Sequence, residues 1–318
     1  MKHLRLMALA GLLLMAATGL KAQDYLSQYN ISQYWQNYFL VNPAYAGQDS
    51  AKAANIWSRY SYSQLTQFDV LGAGAAYHAP IPRLNSGYGF SIVYEKTGYY
   101  ANTSTTLSGV YSYKIETGDG SNLQFGSGVQ VIYRSDTILA SSGGVAYGTV
   151  QTFNFALSFG ILYRNKGWIF GVSGLNLNQP QVRNQFPGVP SQRVPRVIYG
   201  IGRYRHEIYP DVWVIPGVMV RAIDSRSTIA LELRTDLDFA RTFEMGLAYR
   251  ISQLGRQPYE ISGYFFDQTV NFLVPRLGLR VSNGAYFNVS YDIPIVPGGN
   301  QYFYSSLNYL EASLRFNW

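Results

Sequence analysis

The chain contains no cysteine, so no disulfide framework holds it and no thiolate is available as a ligand or nucleophile. Histidine is nearly as scarce, with three in 318 residues, and charged residues make up only 14%. His78 and His206 fall near the ends of predicted strands, and no Ser/His/Asp set or metal-ligand spacing accompanies them. No catalytic, cofactor-binding or metal-binding residue is therefore expected, and the chain reads as a non-enzyme. Gly143-Gly144 and Gly298-Gly299 precede no helix, so they are loop glycines and not phosphate cradles. Basic runs are absent, which argues against nucleic acid as a partner. Beyond the first two dozen residues no apolar run approaches the roughly 20 residues that a spanning helix needs.

Residues 1–22 read as an export signal. Lys2 and Arg5 precede an apolar core from Leu6 to Ala17, and Ala22 before Gln23 is the expected cleavage point, with Leu20 at the minus-three position. No cysteine follows, which excludes lipid attachment at a mature N-terminal cysteine. Taking Lys2, Arg5 and Lys21 from the 25 basic residues leaves 22 against 18 acidic ones, a net of about +4.

What is abundant is aromatic and small: 28 Tyr, 17 Phe and 31 Gly, at a mean hydropathy near zero. A protein that is oily outside, polar inside and girdled by aromatics has this composition. A soluble β-sandwich is the alternative, but would carry more surface charge. The alternation of residues supports the barrel. Leu310, Ala312, Leu314, Phe316 and Trp318 fall on one face, Glu311, Ser313, Arg315 and Asn317 on the other. Phe153, Phe155, Leu157, Phe159 and Ile161 alternate in the same way with Thr152, Asn154, Ala156, Ser158 and Gly160. The segments starting at Leu123 and Phe243 repeat the pattern.

Fifteen segments qualify as strands: 51–62, 67–78, 86–95, 104–115, 122–133, 151–163, 167–176, 194–205, 211–223, 227–235, 241–251, 258–267, 272–282, 285–293 and 305–318. Turn residues separate them, among them Thr117 to Ser121, Arg164 to Gly167, and Asn283-Gly284. Bacterial barrels of one chain have an even number of strands. The expected fold is thus an all-β transmembrane antiparallel barrel of 14 strands, with 16 as the alternative, over residues 51–318. Residues 23–50 form an N-terminal periplasmic or lumenal segment. The long loops 134–150 and 177–193 are expected outside the cell.

Ser27-Gln28-Tyr29 and then Phe39-Leu40-Val41-Asn42-Pro43-Ala44-Tyr45-Ala46-Gly47 resemble the PorP/SprF family of the type IX secretion system and gliding-motility machinery. The likeness continues through Gly87-Tyr88-Gly89-Phe90, Tyr94 to Gly98, Tyr163 to Trp168 and Ser290-Tyr291-Asp292-Ile293. After Arg59, where the family often has Gln-Trp, this chain has Tyr60-Ser61. The resemblance implies an integral outer-membrane barrel that receives or anchors secreted type IX cargo, adhesins included. It also implies contact with periplasmic and lipoprotein components of the machinery.

Three groups of residues are candidates for function. Tyr29, Tyr34, Trp35, Asn42, Pro43, Tyr45 and Gly47 in the N-terminal segment, with Asn178 and Phe186 in a long loop, are candidate partner contacts. The aromatic run Tyr25 to Phe39 offers anchor side chains; packing inside the barrel as a plug is the other reading. Glu232, Arg234, Glu244, Arg250, Arg276, Arg280, Glu311 and Arg315 all alternate toward the lumen. A lipid-facing Arg or Lys at mid-membrane would cost about 2–4 kcal/mol. This set either fills and stiffens the interior or lines a selective channel. Phe316 and the terminal Trp318 resemble the aromatic ending read during barrel assembly.

Overall fold

A computed structural model describes residues 32–48, 51–61, 70–97, 102–139, 146–182, 192–224, 228–240, 242–253, 269–282, 284–295 and 308–318. Among these, fourteen antiparallel strands close on themselves. They are β1 (Ala53–Ser61), β2 (Val70–Ile81), β3 (Ser86–Thr97), β4 (Asn102–Gly118), β5 (Ser121–Leu139), β6 (Ala146–Asn165) and β7 (Trp168–Leu175). The second half comprises β8 (Arg196–Tyr204, resumed at His206–Tyr209), β9 (Val212–Asp224), β10 (Thr228–Phe239), β11 (Phe243–Gln253), β12 (Thr269–Ser282), β13 (Ala285–Ile295) and β14 (Tyr309–Asn317). Each strand pairs with its sequence neighbours. Closure comes from β1 against β14, in the register Ala53↔Asn317 to Tyr60↔Leu310. Lys52 and Trp318 exchange two backbone hydrogen bonds of 3.0 Å and extend that seam by one pair. No strand edge is left at the closure, which hydrocarbon requires.

The expected fifteenth strand, 258–267, lies outside the described residues. β11 pairs directly with β12, so the wall closes without it. The signal segment, Tyr29, Phe186 and Asn283 also fall outside the described set.

The alternation sorts the side chains as the pattern predicts. Phe153 is 71% exposed and Phe155 65%, whereas Asn154 and Ser158 are each 5% and Ala156 is 0% exposed. The apolar face therefore looks outward all round, and the core lies inside the barrel. Tight turns join the strands at the end that carries Ala53 and Asn317. Asp119 (φ 51) and Gly120 (φ 73) both take the left-handed conformation there, as a type I′ hairpin demands. The longest connections, including 254–268 and 296–308, are all at the opposite end.

One loop expectation is corrected. Most of 134–150 is strand, because β5 runs on to Leu139 and β6 starts at Ala146. The extension was hidden because Arg134, Ser135 and Asp136 are polar in sequence. Where both faces of a strand meet water, no alternation marks it. The region 177–193 does hold a short ribbon, Gln181–Val182 paired with Gln192–Arg193.

Candidate functional site

Residues 32–48 fill the barrel. They form three short turns: a 3₁₀ turn at Tyr34–Gln36, one turn of α-helix (α1) at Tyr38–Val41 and a 3₁₀ turn at Pro43–Tyr45. Pro43 suits the first position of its turn, where its missing N–H is not needed. Asn42 caps that turn by accepting a 3.0 Å bond from the Ala44 N–H on Oδ1. Its Nδ2 donates to the carbonyls of Ile161 (3.1 Å) and Val172 (3.5 Å) in the wall. Gly47, at φ 67, turns the chain down toward β1, and its N–H donates to His78 Nδ1 at 3.3 Å.

The wall is hollowed to take this plug. A side chain at Gly160 would collide with Asn42, one at Gly126 with Ala44, and one at Gly87 with Ala46. Ser112 Oγ donates to the Ala46 carbonyl at 2.6 Å, and Ser173 Oγ to that of Val41. Tyr34, Tyr38, Phe39, Val41 and Tyr45 form one buried cluster with Trp57, Leu162, Val197, Tyr199 and Met219.

On the other side of the lumen the plug meets charge. The Glu311 carboxylate, fully buried, accepts the N–H groups of Ser32 (2.8 Å) and Gln33 (2.9 Å). Ser32 Oγ donates to Asp292 at 2.7 Å. Arg250 bridges Glu232 (2.7 Å) and Asp292 (3.0 Å), and Arg59 stands 3.9 Å from Asp292. A second cluster lies nearer the tight-turn end. Arg234 pairs with Asp236, and Arg276 bridges Asp236 (2.8 Å) and Glu244 (3.2 Å). Trp35 packs against both guanidinium groups, at 3.8 Å from Arg234 and 4.4 Å from Arg276. Arg315 donates to the Gln36 carbonyl at 3.1 Å.

Of the eight expected lumenal charges, seven are thus in these networks or on the plug. Arg280 continues the inward period of Arg276 but stands outside the networks: it is exposed near the end of β12, 5.9 Å from the ring of Tyr286, and donates to the Ser282 carbonyl at 3.3 Å. Sequence reasoning missed Arg59, Asp236 and Asp292, together with Ser32, Gln33 and Gln36. Asp236 was readable, because it continues the period Glu232, Arg234, Asp236 past the point where the predicted strand stopped. Among the N-terminal candidates, Tyr34, Asn42, Pro43 and Tyr45 are buried in the lumen, while Trp35 and Gly47 are half-buried. Asn178 sits where β7 has ended: it accepts from the Leu157 N–H (3.0 Å) and donates to the Phe155 carbonyl (2.8 Å). Its amide so continues the ladder along β6. Phe316 and Trp318 face outward, with the Trp318 ring 6.1 Å from that of Tyr77.

A cavity of about 840 Å³ remains between the plug and the tight-turn end. Trp35, Gln36 and Tyr38 form its floor, with Lys114, Arg164, Arg203 and Arg315 among its walls. Among the described residues no cluster of His, Asp and Glu is arranged to hold a metal ion.

Over residues 24–309 the chain matches the family described as type IX secretion system membrane protein PorP/SprF. No curated protein matches it. Among solved structures it resembles a FadL homologue of Pseudomonas aeruginosa, with 11% identity and a TM-score of 0.58 over 95% of this chain and 96% of the other. It also resembles the monoaromatic hydrocarbon channel CymD, with 9% identity and a TM-score of 0.54 over 91% and 93%. At these identities the likeness is one of fold: a closed barrel of the bacterial outer membrane.

Proposed function

Because the chain belongs to the PorP/SprF family of type IX secretion system membrane proteins, we propose that it receives or anchors secreted cargo, adhesins included, at the cell surface while contacting the secretion machinery in the periplasm. The protein is integral to the outer membrane, and tight turns in such barrels face the periplasm while longer loops face outward. On that rule the ends of β7, β11 and β13 away from the tight turns would face the cell exterior, and the chain that leaves them is the candidate for binding cargo.

The observation that carries the reading, against that of a passive channel, is the filled lumen. Residues 32–48 are bonded to the wall from Ser112, Ile161 and Ser173 on one side to Glu311 and Asp292 on the other. A diffusion pore needs an open path there; a docking platform needs a rigid body. The test is to delete the protein and digest surface proteins from intact cells, quantifying the released peptides by mass spectrometry. The proposal expects specific secreted proteins to vanish from the surface and to co-purify with the solubilised barrel when it is present. An unchanged surface proteome, together with stable ion conductance by the purified wild-type barrel in a planar bilayer, would favour the channel.

A further inference from the structure

The cavity below the plug has a shape and charge of its own. It opens at the tight-turn end, beside Ala51, Pro82, Asn85 and Asn317, and the plug floors it with Trp35, Gln36 and Tyr38. Anything that enters comes from the periplasmic side. Its volume, about 840 Å³, falls within the roughly 300–1,000 Å³ of ordinary ligand sites. That admits a loop or a short extended segment and excludes a folded domain.

The lining is basic. Its acidic members are Asp236, Asp238 and Glu244, and each is already engaged. Arg276 holds Asp236 and Glu244, and Arg205 lies 3.2 Å from Asp238. Lys114, Arg164, Arg203 and Arg315 come in addition, so positive charge is in excess. Lys114 pairs at 3.2 Å with Glu116, which is exposed and outside the cavity lining. At the floor, Arg276 is 5% exposed, and its Nε and Nη1 have no hydrogen-bond partner among the described residues. Guanidinium groups around a recess recognise planar carboxylates, two N–H groups to two oxygens. The rest of the wall suits a polypeptide: Trp35, Tyr38, Tyr286, Pro80 and Pro82 supply apolar and aromatic surface between the charges.

We propose that this periplasmic vestibule docks an acidic peptide segment of a periplasmic protein, its carboxylates received by Lys114, Arg164, Arg203 and Arg315 over the Trp35 floor. This deepens the periplasmic half of the proposed function and rests on it. The segment binds without entering the lumen, because the plug stays in place. The barrel thus holds a periplasmic partner at one end and leaves its surface loops free at the other.

The test uses the full-length mature protein in detergent, with fluorescein-labelled hexaglutamate and hexaglutamine peptides and fluorescence anisotropy as the readout. Charge recognition predicts that hexaglutamate binds about tenfold more tightly than hexaglutamine, with the difference shrinking as salt is raised. Lys114→Gln with Arg164→Gln lies outside the buried ion-pair clusters, so the barrel should keep its heat-modifiable fold. The double variant should weaken hexaglutamate binding about fivefold, as expected for two partly exposed charge contacts. Equal affinity for the two peptides overturns the proposal, as does wild-type affinity in the folded double variant. A photoreactive hexaglutamate should crosslink to vestibule residues such as Asn85 or Tyr286; crosslinks confined to the surface loops overturn it too. The broader function fails separately: it is judged by surface display of cargo in the deletion strain, which these binding measurements do not touch.

Discussion

The side-chain amide of Asn42 occupies the space that a side chain at Gly160 would need. One residue belongs to the plug and the other to β6, and the fit holds Asn42 against the carbonyls of Ile161 and Val172. Gly160→Val should therefore unseat the plug while leaving the wall paired. Overpacking of this kind costs about 1–3 kcal/mol. The expected result is a lower melting temperature by heat-modifiability on gels and a rise in ion conductance over the wild type. Unchanged melting and conductance would mean that the contact does not hold the plug.

Glu311→Ala removes the acceptor of two plug N–H groups and leaves Arg59 without the acidic residue opposite it in the register Arg59↔Glu311. Breaking a buried charged interaction from one side costs about 3–5 kcal/mol. Thermal unfolding should show a large loss of stability, and limited proteolysis of the folded barrel should cut near Ser32. Wild-type resistance to both would remove Glu311 as an anchor.

Leu247 is 51% exposed on the outer face of β11, and Ala248 beside it is 7% exposed. Leu247→Arg places a charge in lipid, at a cost of about 2–4 kcal/mol near the midplane. Folding into lipid vesicles, titrated with urea, should show that loss. If Leu247→Arg folds as well as wild type, the outward face has been assigned wrongly.

Asn178 stands in for the missing strand beside Leu157 and Phe155. Asn178→Ala should cost about 1 kcal/mol per lost bond, and the Leu157 amide should exchange its hydrogen faster. Unaltered exchange at Leu157 would show that the loop, and not this amide, protects β6.

Deleting residues 310–318 removes the partner of β1 from Ala53 to Tyr60. Folded, heat-modifiable protein in the outer membrane should fall sharply, and Trp318→Ala should lower it by a smaller amount, since an interfacial aromatic anchors its strand. Normal amounts of barrel after the deletion would mean that closure does not depend on β14.

The fourteen wall strands were legible because each carries its own signal. Leu247 and Arg250, or Phe155 and Asn154, are sorted by lipid on one side and a polar lumen on the other. The signal failed where that contrast ends, as in Arg134 to Asp136 above the lipid. The candidate 258–267 lies outside the described residues, and among those described β11 meets β12 directly.

By itself, then, the sequence determined the class of fold, the outward and inward faces, the tight turns and the burial of Glu232, Arg250 and Glu311. Only the tertiary structure decided what those charges hold. The plug has no period to read, and its seat is assembled from residues far apart: Asn42 and Ile161 lie 119 positions apart, Ser32 and Glu311 279. The glycines that make room for it look, one strand at a time, like any small inward residue. Alternation is set locally by the solvent on each side of a strand, whereas the plug is held by non-local contacts that exist only once the barrel has closed.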